Sequence, residues 1–238
     1  MAFSFVVYII GKEKGISATR PEKKPKEAAA GDAAAPKDDG LKKLLLSKIF
    51  IAGTICTLCN LAQGMTYNTY IIAYLTYARG FELTSAAAIV GSSFLVAVLS
   101  GPSAGAFSDF VKNRKITLAI GVVINIICLF IIMTTNSLAL IVFIVPFRLF
   151  FSTWVANSIT SALVRHTAGP YNARAMGLNS GMGHIGSITF PLLLGFILDA
   201  TNRNYNFLFW IIIILIGIIG FIGLFIMPSD KVAPKKKD

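Results

Sequence analysis

Long, mainly apolar stretches separated by short polar turns dominate this chain. Six of them occupy residues 49–77, 86–107, 116–134, 137–163, 175–198 and 207–227. Each is long enough for a helix that crosses about 30 Å of hydrocarbon. None shows the regular alternation of apolar and polar residues that is typical of a β-strand. The pattern therefore predicts an all-α, multi-pass membrane protein with six transmembrane helices within residues 44–227.

Three segments lie outside this predicted domain. Residues 1–10 are apolar but only about half as long as a spanning helix, and we interpret them as the stump of a preceding helix. Residues 11–43 are rich in Lys, Glu, Ala and Pro, a composition too polar to form a core of its own. We expect them to form a flexible, charged cytoplasmic linker. Residues 228–238 are predicted to be a basic cytoplasmic tail.

Lysine and arginine are distributed unevenly over the predicted loops. Ten precede the first span, three lie in the 107–116 turn, two in the 164–174 turn and four in the tail, against Arg79 and Arg203 on the other face. Because cytoplasmic loops are enriched in these residues, both termini are predicted to be cytoplasmic. The net charge of +11 then reflects orientation and attraction to anionic membrane lipid. We expect no nucleic-acid partner, and a location in the cell (plasma or inner) membrane.

The turn between the second and third spans combines a single acid with a basic cluster. Asp109 would lie at a helix end near Arg114 and Lys115, with Gly105 and Ser108 before it. A helix N-terminus and nearby cations both stabilise a carboxylate, and such a cluster can hold one conformation and break in another. We interpret these five residues as a conformational latch. The alternative is an ordinary loop that follows the positive-inside rule.

The sequence of this turn resembles the Gly-x-Leu-Ala/Ser-Asp-Arg-x-Gly-Arg-Arg loop of the major facilitator superfamily. The matching residues are Gly105, Phe107, Ser108, Asp109, Arg114 and Lys115. Phe110 replaces a basic residue of that motif and Lys112 replaces a glycine, so we expect a weaker latch. The resemblance, over about residues 44–227, implies one six-helix half of a twelve-helix transporter that binds its substrate between the halves. It favours the carboxyl-terminal half, either truncated or encoded separately.

The first span carries a polar stripe that is the main candidate for a substrate-binding surface. At about 100° per residue, its five members fall within less than a quarter of a turn. They are Asn60, Gln63, Tyr67, Tyr70 and Tyr74. Because polar groups that face lipid are costly, we interpret the stripe as a cavity wall. Hydrogen bonding between helices is the alternative.

Two ionisable side chains lie inside the predicted spans. Arg148 would lie about 18 Å along its helix, near the bilayer centre, where a cation costs roughly 2.5–3.5 kcal/mol. It could bind an anionic solute, with Ser152 one turn further on, or could pair with helix-end carbonyls. His184 is the proton-coupling candidate, since the interiors of the spans contain no Asp or Glu. A packed, hydrogen-bonded histidine is the alternative.

The sequence shows no catalytic constellation. Cys56 and Cys59 have the spacing of a metal or redox pair, but they lie at membrane depth without a second pair. We expect no enzymatic activity, metal or cofactor. The predicted function is secondary active transport, with symport expected, of a small polar or anionic solute by alternating access. Expected partners are that solute and a second six-helix half or homodimer partner. The alternative is a non-transporting membrane scaffold or remnant.

Overall fold

The computed structural model describes residues 38–225 except Lys112, residues 168–170 and Asn202. The side chains of Asp38, Asp39, Asp109 and Arg114 also lie outside this description. The predicted stump at residues 1–10, nearly all of the predicted linker and the basic tail therefore fall outside the described residues.

The described chain is a succession of helices without β-strands. The helices are α1 (Asp38–Leu45), α2 (Lys48–Ala73) with a π-helical turn (Tyr74–Ala78), α3 (Leu83–Val111), α4 (Arg114–Thr134), α5 (Leu138–His166), α6 (Asn172–Ala200) and α7 (Tyr205–Phe225). Six of them, α2 to α7, are long and apolar enough to cross a membrane. The prediction of an all-α domain with six spans is confirmed.

Polar side chains at the ends of the spans define where the helices begin. The Ser47 hydroxyl accepts a hydrogen bond from the Phe50 backbone N–H and so caps α2. The same hydroxyl is hydrogen bonded to His166 Nε2 at 2.8 Å, which joins the start of α2 to the end of α5. Asn113 caps α4 by accepting from the Lys115 N–H. Each cap satisfies a backbone donor that the first helical turn leaves free.

Helix α2 packs extensively against three other helices of the bundle. It packs against α6, α7 and α5, while α3 packs mainly on α5, and α4 packs on α5 and α7. The short turn at residues 107–116 predicted that α3 and α4 would be neighbours. They touch, but both make most of their contacts with α5, because a turn fixes only the ends that it joins.

Two sets of glycines that look alike in sequence are packed differently. A Cβ atom at Gly186 would lie 3.0 Å from the carbonyl oxygen of Leu58, and one at Gly183 would lie 2.7 Å from Leu61 Cδ1. A Cβ atom at Gly105 would meet no described atom within 4 Å, and one at Gly101 would meet only the Asn157 amide at 3.9 Å. Glycine therefore allows α6 to approach α2 closely, whereas the α3 glycines have little of the described chain against them.

Large apolar side chains cover the outside of the described helices. Leu95 on α3, Phe143 on α5, Phe196 on α6 and Phe221 on α7 are all largely exposed. A water-soluble domain rarely presents so many apolar side chains on so many faces. Lipid tails are the environment in which this surface is stable, and the backbone polar groups beneath it are satisfied within the helices.

Candidate functional site

Arg148 lies inside the helix bundle and has only uncharged contacts among the described residues. Its side chain is 1% exposed. Its Nη2 atom donates a hydrogen bond to Gln63 Oε1 at 2.6 Å, and its guanidinium carbon lies 3.6 Å from the centre of the Tyr67 ring. The amide oxygen and the aromatic ring both attract a cation, but neither carries a formal negative charge. The described neighbours of Arg148 therefore do not neutralise its positive charge, and its Nε atom has no hydrogen-bond partner among them.

Gln63 connects this arginine to two further polar side chains. Its Nε2 atom donates to Ser152 Oγ at 3.3 Å and lies 3.4 Å from Asn60 Oδ1, to which it also donates. Gln63 and Ser152 are buried, whereas Asn60 is half-buried. A continuous hydrogen-bonded path thus leads from Arg148 on α5 through Gln63 to Asn60 on α2.

Asn60 also lines a cavity of about 270 Å³ between α2, α5 and α6. We call it the histidine cavity, because His184 is its ionisable member. Its lining residues are Thr57, Asn60, Leu61, Ala156, Ile159, Thr160, Met176, Asn179, Ser180 and His184. Hydroxyl, amide and imidazole groups meet there on an apolar wall, as in many binding sites for small polar molecules. Arg148 is two hydrogen bonds away from this cavity.

The predicted polar stripe of α2 divides into parts with different surroundings. Tyr67 and Tyr74 are buried in the bundle and pack against Phe209 of α7, with ring centres 6.0 and 4.4 Å apart. Tyr70 donates its hydroxyl to the carbonyl of Pro191 on α6 at 2.8 Å. Asn60 lines the cavity, and Gln63 lies behind it. The stripe faces the inside of the bundle, and the Tyr70 hydroxyl makes a hydrogen bond between helices, which was the alternative interpretation. A role of the five residues in solute binding stays a prediction.

His184 and three neighbours extend the candidate site onto α6 and α5. The His184 side chain is exposed and lines the cavity, while its backbone carbonyl accepts from the Ser187 hydroxyl at 2.8 Å. Sequence reasoning missed Asn179, Ser180 and Thr160. The first two lie about one helical turn before His184, so inspection of that turn for polar side chains would have found them.

A second polar cavity, of about 310 Å³, lies between α3 and α5. We call it the serine cavity. Its lining residues are Gly101, Ala104, Gly105, Ser108, Asn157, Ser158 and Ser161. Ser108 is buried and has no hydrogen-bond partner among the described residues. The end of this cavity adjoins the turn for which the latch was predicted.

The residues of that latch have separate surroundings where the structure describes them. Lys115 donates through Nζ to the carbonyl oxygen of Leu224 in the last turn of α7, at 3.0 Å. The backbone of Asp109 lies in the last turn of α3, where the helix dipole does not stabilise a carboxylate. The proposed dipole contribution therefore does not apply to Asp109. An ion pair with Arg114 stays a prediction, since neither of these side chains is described.

Sequence reasoning also missed an arginine cluster at the opposite end of the bundle. Arg79 donates through Nε to the Tyr74 hydroxyl at 2.8 Å, through Nη1 to Asn136 Oδ1 at 2.6 Å and through Nη2 to the Ile132 carbonyl at 3.2 Å. These contacts attach the π-helical turn after α2 to the end of α4. The cluster is structural in character, because it satisfies the Ile132 carbonyl, one of those that the end of α4 leaves free.

Six helices that are long and apolar enough to cross a membrane place the chain in the class of multi-pass membrane proteins. The family model of the Major Facilitator Superfamily matches residues 3–238, and the chain belongs to this family. The predicted resemblance is confirmed. The described fold is consistent with one half of the twelve-helix arrangement.

Two curated relatives are transporters by name. The chain is 29% identical to the probable sulfoacetate transporter SauU of Cupriavidus necator, over 170 residues that cover 68% of this chain and 39% of that protein. It is 26% identical to the probable galactarate/D-glucarate transporter GudP of Bacillus subtilis, over 212 residues that cover 83% of this chain and 45% of that protein. The chain thus matches less than half the length of each relative.

Proposed function

We propose that this chain is part of a secondary transporter that moves a small organic anion by alternating access. The observation that carries the proposal is the buried Arg148, which has neutral contacts and lies two hydrogen bonds from a polar cavity. A cation inside a membrane domain is costly and usually marks a solute or ion pathway. A solute with a carboxylate or sulfonate group would supply the negative charge that the described neighbours of Arg148 lack.

The relatives support the anionic class of solute. Sulfoacetate, galactarate and D-glucarate all carry acidic groups, and two of them also carry several hydroxyls. The hydroxyl and amide groups of Thr57, Asn60, Thr160 and Asn179 in the histidine cavity suit such hydroxyls and acidic oxygens. We therefore place the solute in this cavity, with Asn60 at the side nearest Arg148.

We propose coupling from the ionisable residue of this site and orientation from the basic loops. His184 is the ionisable side chain of the histidine cavity, and we propose that it carries the proton in a symport mechanism. Transport would require this six-helix unit to rock against a second one, either another half of the same protein or a second copy. In this proposal both termini are cytoplasmic, in the cell membrane, because the basic loops lie on that side.

One observation favours a second candidate function, a non-transporting membrane scaffold. Gly101 and Gly105 form a small-residue face beside the serine cavity, where a Cβ atom at Gly105 would meet no described atom within 4 Å and one at Gly101 would meet only the Asn157 amide at 3.9 Å. Such faces allow close packing of membrane helices, so this one suits a helix from another polypeptide. A scaffold would bind that partner without moving a solute.

Uptake into vesicles tests these functions. The complete protein, together with a second six-helix half where one is encoded, is reconstituted and supplied with D-glucarate, galactarate, sulfoacetate or uncharged glucitol. We expect uptake of at least one anion and not of glucitol. Uptake of glucitol alone would contradict the anionic class, and absence of all uptake with retained binding of a membrane partner would favour the scaffold.

The matching variant is Arg148→Gln, with Arg148→Lys as the charge-preserving control. We expect Arg148→Gln to abolish anion uptake while the folded yield stays near that of the wild type, because the glutamine amide can still bond to Gln63. The lysine variant should retain part of the uptake. Loss of folded protein in both variants would instead assign Arg148 a structural role.

A further inference from the structure

We propose that Gln63 sets the charge selectivity of the site, because its neutral amide leaves Arg148 uncompensated and so reserves that cation for an anionic solute. This inference rests on the proposed function, which it deepens by naming the residue that decides between anionic and uncharged solutes. Gln63 would act through Arg148 and is thus a positioning and specificity residue.

Gln63 and Arg148 are in direct contact inside the bundle. Gln63 and Arg148 are each 1% exposed, and the distance from Nη2 to Oε1 is 2.6 Å. Glutamate has the same shape as glutamine, so a carboxylate at position 63 would occupy the same place and form a charged pair. The chain holds a cation where a one-atom change in its partner would neutralise it.

Hydrogen bonds on α2 and α5 fix the direction of the Gln63 amide. Gln63 Nε2 donates to Ser152 Oγ and to Asn60 Oδ1, so these two acceptors hold the –NH₂ group away from the arginine. An arginine has only donors, and it can therefore bond to Gln63 only through Oε1. The amide of Gln63 is therefore held at both of its polar atoms, with Oε1 facing Arg148 and Nε2 facing Ser152 and Asn60. Arg148 thus meets the partial negative charge of an amide oxygen and not a full negative charge.

The effect of Arg148 on an anionic solute is electrostatic attraction. Charges interact more strongly inside the membrane domain than in water, so an uncompensated cation there raises the affinity for any anion that comes near. Among the described acids, Glu82 precedes α3 and Asp199 lies in the last turn of α6, at the ends of spans. The interior of the described bundle thus offers Arg148 no carboxylate, and a solute next to Asn60 would be its first full negative partner.

The test compares four proteins: the wild type, Gln63→Glu, Gln63→Met and Asn157→Asp. Gln63→Met keeps the size of the side chain and removes its hydrogen bonds. Asn157→Asp makes the same amide-to-carboxylate change in the serine cavity, on the same helix as Arg148. Melting temperature is measured without solute, and affinity is measured with D-glucarate and with glucitol. The complete protein is used throughout.

We expect Gln63→Glu to weaken D-glucarate binding by at least about tenfold, because the site cation is already paired, and to leave weak glucitol binding unchanged. The unliganded Glu variant should melt about 3 °C above the wild type, since it neutralises a buried charge. The Met variant should melt below the wild type but keep its preference for D-glucarate over glucitol. Asn157→Asp should keep the wild-type preference.

Two binding results would overturn the inference while the proposed function stands. One is wild-type affinity for D-glucarate in Gln63→Glu, and the other is an equal loss in the Glu and Met variants, which would make position 63 merely structural. A wild type that binds none of the anions would contradict the proposed function instead. The melting temperatures test the charge pairing of residue 63 with Arg148 independently of solute binding. A Gln63→Glu variant that melts no higher than the wild type would also overturn the inference.

Discussion

The histidine cavity and the serine cavity are similar in size, about 270 and 310 Å³, and both contain hydroxyl and amide groups. Their borders differ. Beside the histidine cavity, Gly183 and Gly186 hold α6 tightly against α2, and Asn60 links the lining to the Arg148 cation. Beside the serine cavity, Gly101 and Gly105 have little against them, and no charged side chain is among its described lining residues.

This difference shows what a polar cavity needs in order to become a candidate binding site. Small and polar side chains create space and hydrogen-bonding capacity in both places. Of the two, the histidine cavity has the more closely packed border and, among the described residues, the connection to a formal charge. We expect the close packing to make this border rigid, and rigidity and charge together favour affinity and selectivity. The serine cavity instead suits a movable surface or a contact with another helix.

The largest effect is expected from Gly186→Ala, which tests the rigid wall. The new methyl group would lie 2.9 Å from Leu58 Cγ and 3.0 Å from the Leu58 carbonyl oxygen, so the α2 backbone must shift. We expect a loss of about 1–3 kcal/mol in stability, measured as lower folded yield and melting temperature. An unchanged melting temperature would show that α6 can move away from α2 and that the wall is not rigid.

Asn60→Leu tests the connection to the charge. The leucine would remove one of the two acceptors of Gln63 Nε2 and a polar group of the histidine cavity, so affinity for D-glucarate should fall by about tenfold. Asn157→Leu, the matched change in the serine cavity, should leave that affinity unaltered. Calorimetric titration of both variants checks this, and the reverse order would move the solute site to the serine cavity.

Asp109→Asn tests whether the end of the serine cavity moves during transport. Loss of the carboxylate should slow uptake several-fold with little change in substrate affinity, because the predicted latch would bias conformations and its residues do not line the histidine cavity. Initial uptake rates at saturating and limiting solute separate the two effects. Unchanged rates would remove the latch hypothesis.

The smallest effect is expected from Gly105→Ala, the counterpart of the Gly186 change. No described atom lies within 4 Å of the new methyl group, and surface-like substitutions usually change stability by less than about 0.5 kcal/mol. The melting temperature should stay at the wild-type value. A large drop in the complete protein would mean that another helix covers this face, which would sharpen the contrast between the cavities.

Much of the fold was accessible from the sequence because hydropathy alone defines a membrane span. The first predicted span, residues 49–77, agrees closely with the observed Lys48–Ala78. The inward direction of Gln63 and Tyr67 also followed from helical periodicity. Periodicity shows which residues share a helix face, but not what packs against that face. It therefore could not distinguish Asn60 at a cavity from Tyr74 in the core. It also could not show that α5 is the main neighbour of both α3 and α4.

The arginine cluster at the end of α2 limits how the bundle can deform. Arg79 holds Asn136, the Ile132 carbonyl and the Tyr74 hydroxyl simultaneously, and the π-helical turn at Tyr74–Ala78 supplies the offset that brings it there. Twisting α2 about its own axis would break the two hydrogen bonds from Arg79 to Asn136 and the Ile132 carbonyl together with the bond from the Tyr74 hydroxyl to that carbonyl. The ends of α2 and α4 should therefore move together as one rigid unit. A distance between labels on Thr76 and Asn136 should stay constant through any conformational cycle of the protein.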